Sequence, residues 1–319
     1  MSDYLNKKVL LVGATRMAME YYKVLQALDC NTTVVGRGQK NADEFSAQTK
    51  APVYVGGVEK FLAEKSVADF DAVLVAVGVE QLAPVARQLL VAGAKHILLE
   101  KPGGLDSQEI QALADMANAK KAQVLVAYNR RFYASVLKAE EIIKADGGVK
   151  SFVFEFTEWD QAVSKTDRKP EVLAHWLLAN STHVIDMAFF LGGKPLEIKC
   201  FSAGNLNWHE HSMFYGAGST ENQTFFSYQA NWDAPGRWVV EIITDQHRLI
   251  FKPLEELQIQ VKGSVEVKPV EIDNSLDLNF KPGLYRQLQA FLTGDDSRFK
   301  TIAQQAQMSL IYEQMAKGN

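Results

Sequence analysis

Ile97-Leu98-Leu99 is a short apolar run that ends in Glu100-Lys101-Pro102-Gly103-Gly104. A run of that kind reads as a buried strand. In an open α/β sheet, ligands bind at the carboxyl ends of the strands. An ammonium placed there can hold a substrate oxygen or pass a proton. Pro102 fixes its own φ and biases Lys101 towards extended backbone, which aims the side chain reproducibly. The competing reading is a solvated charge pair at a strand end, which is common on protein surfaces.

A second constellation opens the chain. Lys8-Val9-Leu10-Leu11-Val12 is a buried-type strand, followed by Gly13-Ala14-Thr15-Arg16-Met17-Ala18 and a helical pattern through Met19, Tyr22, Val24, Leu25 and Leu28. Strand, tight turn and helix begin a nucleotide-binding βαβ unit. Gly13 and Ala18 fit the first and third positions of G-x-G-x-x-G/A. Thr15 replaces the second glycine, which normally lets the backbone approach a pyrophosphate. Its hydroxyl can cap the helix or donate to a phosphate, and Arg16 adds charge at the same place. The next strand, Thr32 to Gly38, carries Gly36-Arg37 where an NAD-preferring fold has an acidic residue. Removing the carboxylate and supplying a guanidinium suits a 2′-phosphate, so NADP is favoured over NAD. The alternative is a surface arginine in a glycine-flanked turn. The candidate cofactor contacts are Gly13, Thr15, Arg16, Met17, Ala18, Arg37, Val77, Glu100 and Lys101.

The elements that must position these groups alternate regularly. Pro52 to Val55, Ala72 to Gly78, Ile97 to Leu99 and Gln123 to Ala127 read as further strands. Helical patterns lie over Val58 to Lys65, Glu80 to Ala92 and Ser107 to Ala119. Strands separated by helices give a doubly wound parallel sheet with right-handed crossovers. With 319 residues, two domains are expected, at 1–127 and 128–319. The composition, 47% hydrophobic and 23% charged, is that of an ordinary globular protein. The net charge of −4, without long single-sign blocks, gives no footprint for nucleic acid or a membrane surface. Met1 to Lys8 is polar, with neither a signal h-region nor a cleavage site, and no apolar stretch is long enough to span a bilayer. Cys30 and Cys200 form no framework. A cytoplasmic location is expected.

One strand after Lys101 comes Tyr128-Asn129-Arg130-Arg131-Phe132, and later Asn180-Ser181-Thr182-His183-Val184-Ile185-Asp186. Together with Glu100-Lys101-Pro102, in this order and spacing, the chain resembles the glucose–fructose oxidoreductase/inositol dehydrogenase (Gfo/Idh/MocA) family. The resemblance implies NAD(P)-dependent hydride transfer at a CH–OH carbon of a sugar, sugar derivative or nucleotide sugar. It also implies a Rossmann domain followed by an α/β domain on a large open antiparallel sheet, and assembly as a homodimer or homotetramer through that sheet. By the same resemblance Lys101 corresponds to the active-site lysine and His183 to the general acid/base. Substrate contacts are then expected from Lys101, Asn129, Arg130, Asn180 and His183. The family commonly has an aspartate four residues before that histidine; this chain has Ala179, which puts the proton relay in question. The Pro and His usual after the fourth strand are also absent near Gly78 to Leu82. These departures, with Thr15, motivate a second hypothesis, a non-catalytic NADP-binding sensor or scaffold. A third is a reductase for a non-sugar carbonyl such as an amino-acid semialdehyde.

In the second half, Phe132 to Lys144 reads as a helix and Val149 to Thr157 as a strand with one apolar face, Phe152, Phe154 and Phe156. Glu158 to Pro170 is a mixed-charge loop able to grip a phosphate or carboxylate, or simply solvated. Val172 to Leu191 reads as one helix placing Asn180, His183 and Asp186 on a shared face. Strand-like runs follow at Leu196 to Ser202, Thr224 to Asn231, Arg237 to Thr244, Arg248 to Phe251, Gln258 to Val261 and Val265 to Val270. His209 and His211 would fall on one side of a strand, but no third ligand appears at metal-site spacing, so no metal is expected. Asn231 to Trp238 brings aromatic and basic groups together, suited to a sugar site or to the core.

Overall fold

The computed structural model describes residues 6–318; the reading of the first five residues as a polar lead-in lies outside them. The chain divides into two compact units, Met1–Asn129 with Leu276–Ser309, and Arg130–Ser275 with Leu310–Asn319. The division therefore differs from a single cut after residue 127.

The first unit is built on a seven-stranded sheet. Its strands are β1 (Lys8–Val12), β2 (Asn31–Gly36), β3 (Val53–Val55), β4 (Ala72–Val75), β5 (His96–Leu99) and β6 (Gln123–Val126), joined by helices α1 (Arg16–Ala27), α2 (Gln39–Thr49), α3 (Gly57–Glu64), α4 (Val79–Val91) and α5 (Ser107–Ala119). The order β3-β2-β1-β4-β5-β6 is parallel throughout and reverses direction between β1 and β4. This is the doubly wound Rossmann arrangement. β1 and β4 are nearly continuous runs of buried Val, Leu and Ala because helices cover both faces of a parallel sheet. α1 turns Ala18, Tyr21, Val24 and Leu25 inward at helical spacing.

The second unit opens with a 3₁₀ turn, Asn129–Phe132, whose first residue closes the preceding unit, and then α6 (Ala134–Ala145) and β7 (Ser151–Glu155). Short helices α7 (Asp160–Val163) and α8 (Pro170–Ala174) precede α9 (Thr182–Gly192). Strands β8 (Pro195–Ala203), β9 (Met213–Thr220), β10 (Phe225–Asn231), β11 (Val239–Ile243), β12 (His247–Phe251), β13 (Gln258–Val261) and β14 (Val267–Pro269) complete an eight-stranded sheet in the order β14-β13-β12-β11-β7-β10-β9-β8. All its pairs are antiparallel except β7 with β10. The alternation in β7 buries Phe152 and Phe154 on one face, where their rings meet Phe189 of α9 and Phe226 and Tyr228 of β10. The chain ends with α10 (Ser275–Asn279), α11 (Leu284–Thr293), β15 (Lys300–Thr301) and α12 (Ile302–Lys317).

Two features explain why 276–309 belongs with the first unit. β15 adds an antiparallel edge to β6, and α11 packs against α1 with Leu284, Leu288, Phe291 and Leu292 buried. The His96 ring stacks on Phe291 at 4.0 Å between centroids.

The predicted single helix over 172–191 is interrupted. α8 ends at Ala174, and Leu177–Ser181 forms a π-helical turn before α9 begins. Helical turns of that kind often mark functional sites. His209 and His211 lie in the loop between β8 and β9 rather than on a strand, and His209 Nδ1 bonds to the His211 carbonyl. α2, β9 and β15 have no counterpart in the sequence reading.

Candidate active site

In the first unit, β1 delivers Gly13 to the point where strand order reverses, the place where such sheets bind ligands. Gly13 has φ +128°, and a Cβ there would lie 2.3 Å from the carbonyl oxygen of Ala76. Only glycine fits, and its bare backbone leaves the turn open. Thr15 is the N-cap of α1: its hydroxyl accepts from Ala18 N at 3.1 Å and donates to Ala76 O at 2.9 Å. A hydroxyl has one proton. Of the two uses expected for Thr15, capping and phosphate donation, the structure realises the cap and directs the proton to Ala76.

A cavity of about 460 Å³ opens on this turn, lined among others by Gly13, Thr15, Arg37, Lys40, Asn41 and Val77. Arg37 is exposed and reaches Gln81 Oε1 at 3.4 Å. Glu59 and Glu80 also line the cavity, so its charge is mixed. An open glycine turn, the start of a capped helix and two cations suit a dinucleotide with its phosphates at the helix N-terminus. Arg16, Met17 and Ala18 form the start of α1 and do not line the cavity, and neither do Glu100 and Lys101. Ala18 is wholly buried and packs the helix on the sheet. Lys40 and Asn41 were not foreseen; the available signal was that helix α2 must start directly after the Arg37 turn.

Lys101 leaves the sheet just past β5, at the same end as Val77 past β4, since Val75 and Leu99 are register partners. The Lys101–Pro102 peptide is cis. Glu100 accepts a hydrogen bond from the Tyr21 hydroxyl at 2.7 Å. Burial pushes the Glu100 carboxyl above the usual range, against the opposing pull of Tyr21 and of the Lys101 and Lys281 charges. The Pro102 carbonyl accepts from Gln305. Asn129 is buried, with its amide donated to the Pro282 carbonyl at 2.9 Å.

In the second unit, His183 sits in the first turn of α9, directly after the π turn. Its ring lies 6.1 Å from that of Trp238. Asp186 lies one turn on. It takes both Nε and Nη2 of Arg131, at 2.7 and 2.8 Å, in a buried fork. Asn180 and Ser181 donate to Glu158 Oε1 at 2.9 and 2.7 Å, and Glu158 is only 2% exposed. The Asn180 amide nitrogen, expected to hold substrate, is thus turned towards a protein carboxylate. Arg130 stacks on Trp238, its guanidinium 4.8 Å from the ring centre. Sequence reading placed Glu158 only within a mixed-charge loop; its signal was a carboxylate directly following a strand with a fully apolar face.

Among the described residues no cluster of three or more His, Cys, Asp or Glu side chains is arranged to hold a metal, and no helix is long and apolar enough to cross a membrane.

A parallel sheet in this order, with a glycine turn and a cavity at its switch point, is a dinucleotide-binding type of fold. Residues 7–128 match the family model described as "Oxidoreductase family, NAD-binding Rossmann fold", that of Gfo/Idh/MocA. An inositol 2-dehydrogenase of Rhizobium meliloti is 27% identical over 205 residues, which are 60% of this chain and 57% of that protein. A levoglucosan dehydrogenase solved with NADH superimposes with TM-score 0.80 at 19% identity, over 97% of this chain and 96% of that one. A UDP-N-acetylglucosamine 3-dehydrogenase from Acidithiobacillus ferrooxidans gives TM-score 0.75 at 16% identity, over 98% and 97%.

Proposed function

We propose that the chain transfers hydride between NADP, in preference to NAD, and a hydroxyl or carbonyl carbon of a sugar, sugar derivative or nucleotide sugar. The observation that carries this reading is the common end of the first sheet: Gly13, Val77 and Lys101 all follow the carboxyl ends of strands β1, β4 and β5. The dinucleotide is held by the Gly13 turn and the Thr15 cap of α1, with Arg37 and Lys40 offering cations to a 2′-phosphate. When bound, a nicotinamide supplies the hydride acceptor for oxidation and the donor for reduction.

Lys101 holds the reacting oxygen and, as an ammonium, stabilises the negative charge that grows on it; it need not lose its proton to do so. His183 takes or returns the hydroxyl proton. The dehydrogenase relatives support a small-molecule substrate of this class. Assembly as a homodimer or homotetramer belongs to the same reading, supported by Phe201 and Tyr215 on the second sheet, 66% and 43% exposed. A cytoplasmic location is supported by Cys30 and Cys200, both thiols.

The test is turnover on a panel of sugars and nucleotide sugars with NADP and NAD, beside His183→Ala. The expected result is turnover in the parent and a loss of about 10²–10⁴-fold in the variant with cofactor affinity kept. Tight cofactor binding without turnover on any of the panel would favour the sensor or scaffold. Loss of cofactor binding in His183→Ala would remove the role given to that residue.

A further inference from the structure

Two adjacent arginines in the second unit have opposite surroundings. Arg131 is neutralised within the fold by the bidentate bond to Asp186. Arg130 has no ion pair among the described residues, and its Nε is closed off from solvent without a hydrogen-bond partner. Two aromatic faces flank it, Trp238 at 4.8 Å and Tyr133 at 5.8 Å. Aromatic stacking holds a guanidinium by its face and leaves its N–H edge for in-plane bonds. A half-buried cation without a counter-ion is unfavourable unless something supplies one.

A second cation shares the same indole. The Arg237 guanidinium lies 4.7 Å from Trp238 and 4.7 Å from Trp159. Its backbone N–H is tied to Glu155, and the Trp159 indole N–H to the Gly236 carbonyl, which fixes this loop against the end of β7. Its carboxylate neighbour, Glu158, stands at 3.8 Å and already accepts from Asn180 and Ser181. Arg237 therefore has two carboxylates beside it, Glu158 and, at its backbone N–H, Glu155, whereas Arg130 on the same indole has no ion pair among the described residues, and the His183 ring lies near that indole too.

We infer that the substrate carries an anionic group, a carboxylate or a phosphate, recognised by Arg130 and assisted by Arg237 around Trp238. This rests on the reading that His183 faces the substrate. The planar guanidinium edge is matched to both anions, which present paired oxygens. The uncompensated charge that the fold tolerates at Arg130 is then a recognition device, filled on binding.

The experiment uses the full chain saturated with NADPH. Hexoses are titrated beside the matching hexuronates and hexose 6-phosphates, followed by calorimetry and by tryptophan fluorescence. The expected result is that one anionic class binds about 10–100-fold more tightly than its neutral counterpart. Which class does so separates carboxylate from phosphate. Arg130→Met should abolish the margin and Arg130→Lys restore part of it. Arg237→Gln, at an exposed position, should lower it and keeps the test open if Arg130→Met fails to fold. Equal or tighter binding of the neutral sugars, no binding of any anionic probe, or a margin indifferent to these variants overturns the inference. An intact margin without hydride transfer would sustain the inference while removing the dehydrogenase reading. Turnover of neutral sugars without a margin would do the reverse.

Discussion

Replacing Arg131 by Met should destabilise the second unit severely, and replacing both Arg131 and Asp186 should not. The two side chains are 9% and 1% exposed and meet through two short charge-assisted bonds. Removing one partner strands the other charge in a nearly dry site, which costs about 3–5 kcal/mol. At about 1.4 kcal/mol per factor of ten, that is roughly two to three and a half orders of magnitude in the folding equilibrium. The double variant Arg131→Met/Asp186→Leu removes both desolvation penalties together. Such swaps are often neutral or stabilising, and Phe190, whose ring lies 4.7 Å from the guanidinium, offers the Met an apolar neighbour. All five tryptophans, 159, 176, 208, 232 and 238, lie in the second unit, so their fluorescence in urea reports that unit alone. This matters because a two-unit chain need not unfold in one step. With a slope of about 3 kcal/mol per molar urea, each single variant should lose at least about 1 M in midpoint. Single variants within about 1 kcal/mol of the parent, or a double variant as weak as the sum of the singles, would refute the argument that the pair's charges are coupled and desolvated.

Three further outcomes follow from the same geometry. Arg37→Ala should erase the preference for NADPH over NADH, about 10–100-fold, in a titration followed by nicotinamide fluorescence; equal affinities in the parent would show Arg37 to be a surface residue only. Gly13→Ala forces a Cβ against the Ala76 carbonyl at a φ that costs about 1–3 kcal/mol by itself, so a lower melting temperature and weakened dinucleotide binding are expected, and wild-type values for both would contradict the turn's role. Burial in the aromatic loop lowers the His209 pKa below the ordinary 6.5. The unfolded chain then takes up the proton first as pH falls, so stability present above about pH 6.5 is lost progressively towards the lower folded value. His209→Phe should flatten the fall in urea midpoint between pH 7 and 5.5, and an unchanged slope would assign the fall to other groups.

The first sheet was legible because its strands are apolar on both faces and its helices carry a 3.6-residue period; Ser107–Ala119 even begins and ends as expected, as does Gln258–Val261 in the second sheet. α2 was not, because Gln39 to Thr49 buries only Ala42 and Phe45 and shows little apolar period. β9, Met213–Thr220, contains two glycines, which weaken a strand pattern; the strand exists because β8 and β10 pair with it on both sides. The return of 276–309 to the first unit is a long-range fact without a local signal. Motif and order singled out Lys101, His183 and the Gly13 turn as candidates. They could not show that the Asn129 amide is committed to Pro282 or that Asp186 serves Arg131, since both partners lie far away in sequence.

Ala179 illustrates the same limit with a chemical consequence. The resemblance leads one to look for a carboxylate four residues before His183, and the chain has a methyl group there. Ala179 is buried in the π turn, and the two residues after it turn an amide and a hydroxyl towards Glu158. The negative charge of this turn therefore arrives from the end of β7, across space, and not from the helix itself. A π turn widens the helix by one residue per bond, so the spacing rule that would align residues 179 and 183 on one face no longer holds there. A buried carboxylate needs donors, and Asn180 and Ser181 are the donors this turn provides. Ala179 itself supplies no charge, and the carboxylate that the next two residues face comes from a different element. For that reason Arg237, which approaches the same Glu158, belongs to the electrostatics of the turn although it stands on a different strand connection.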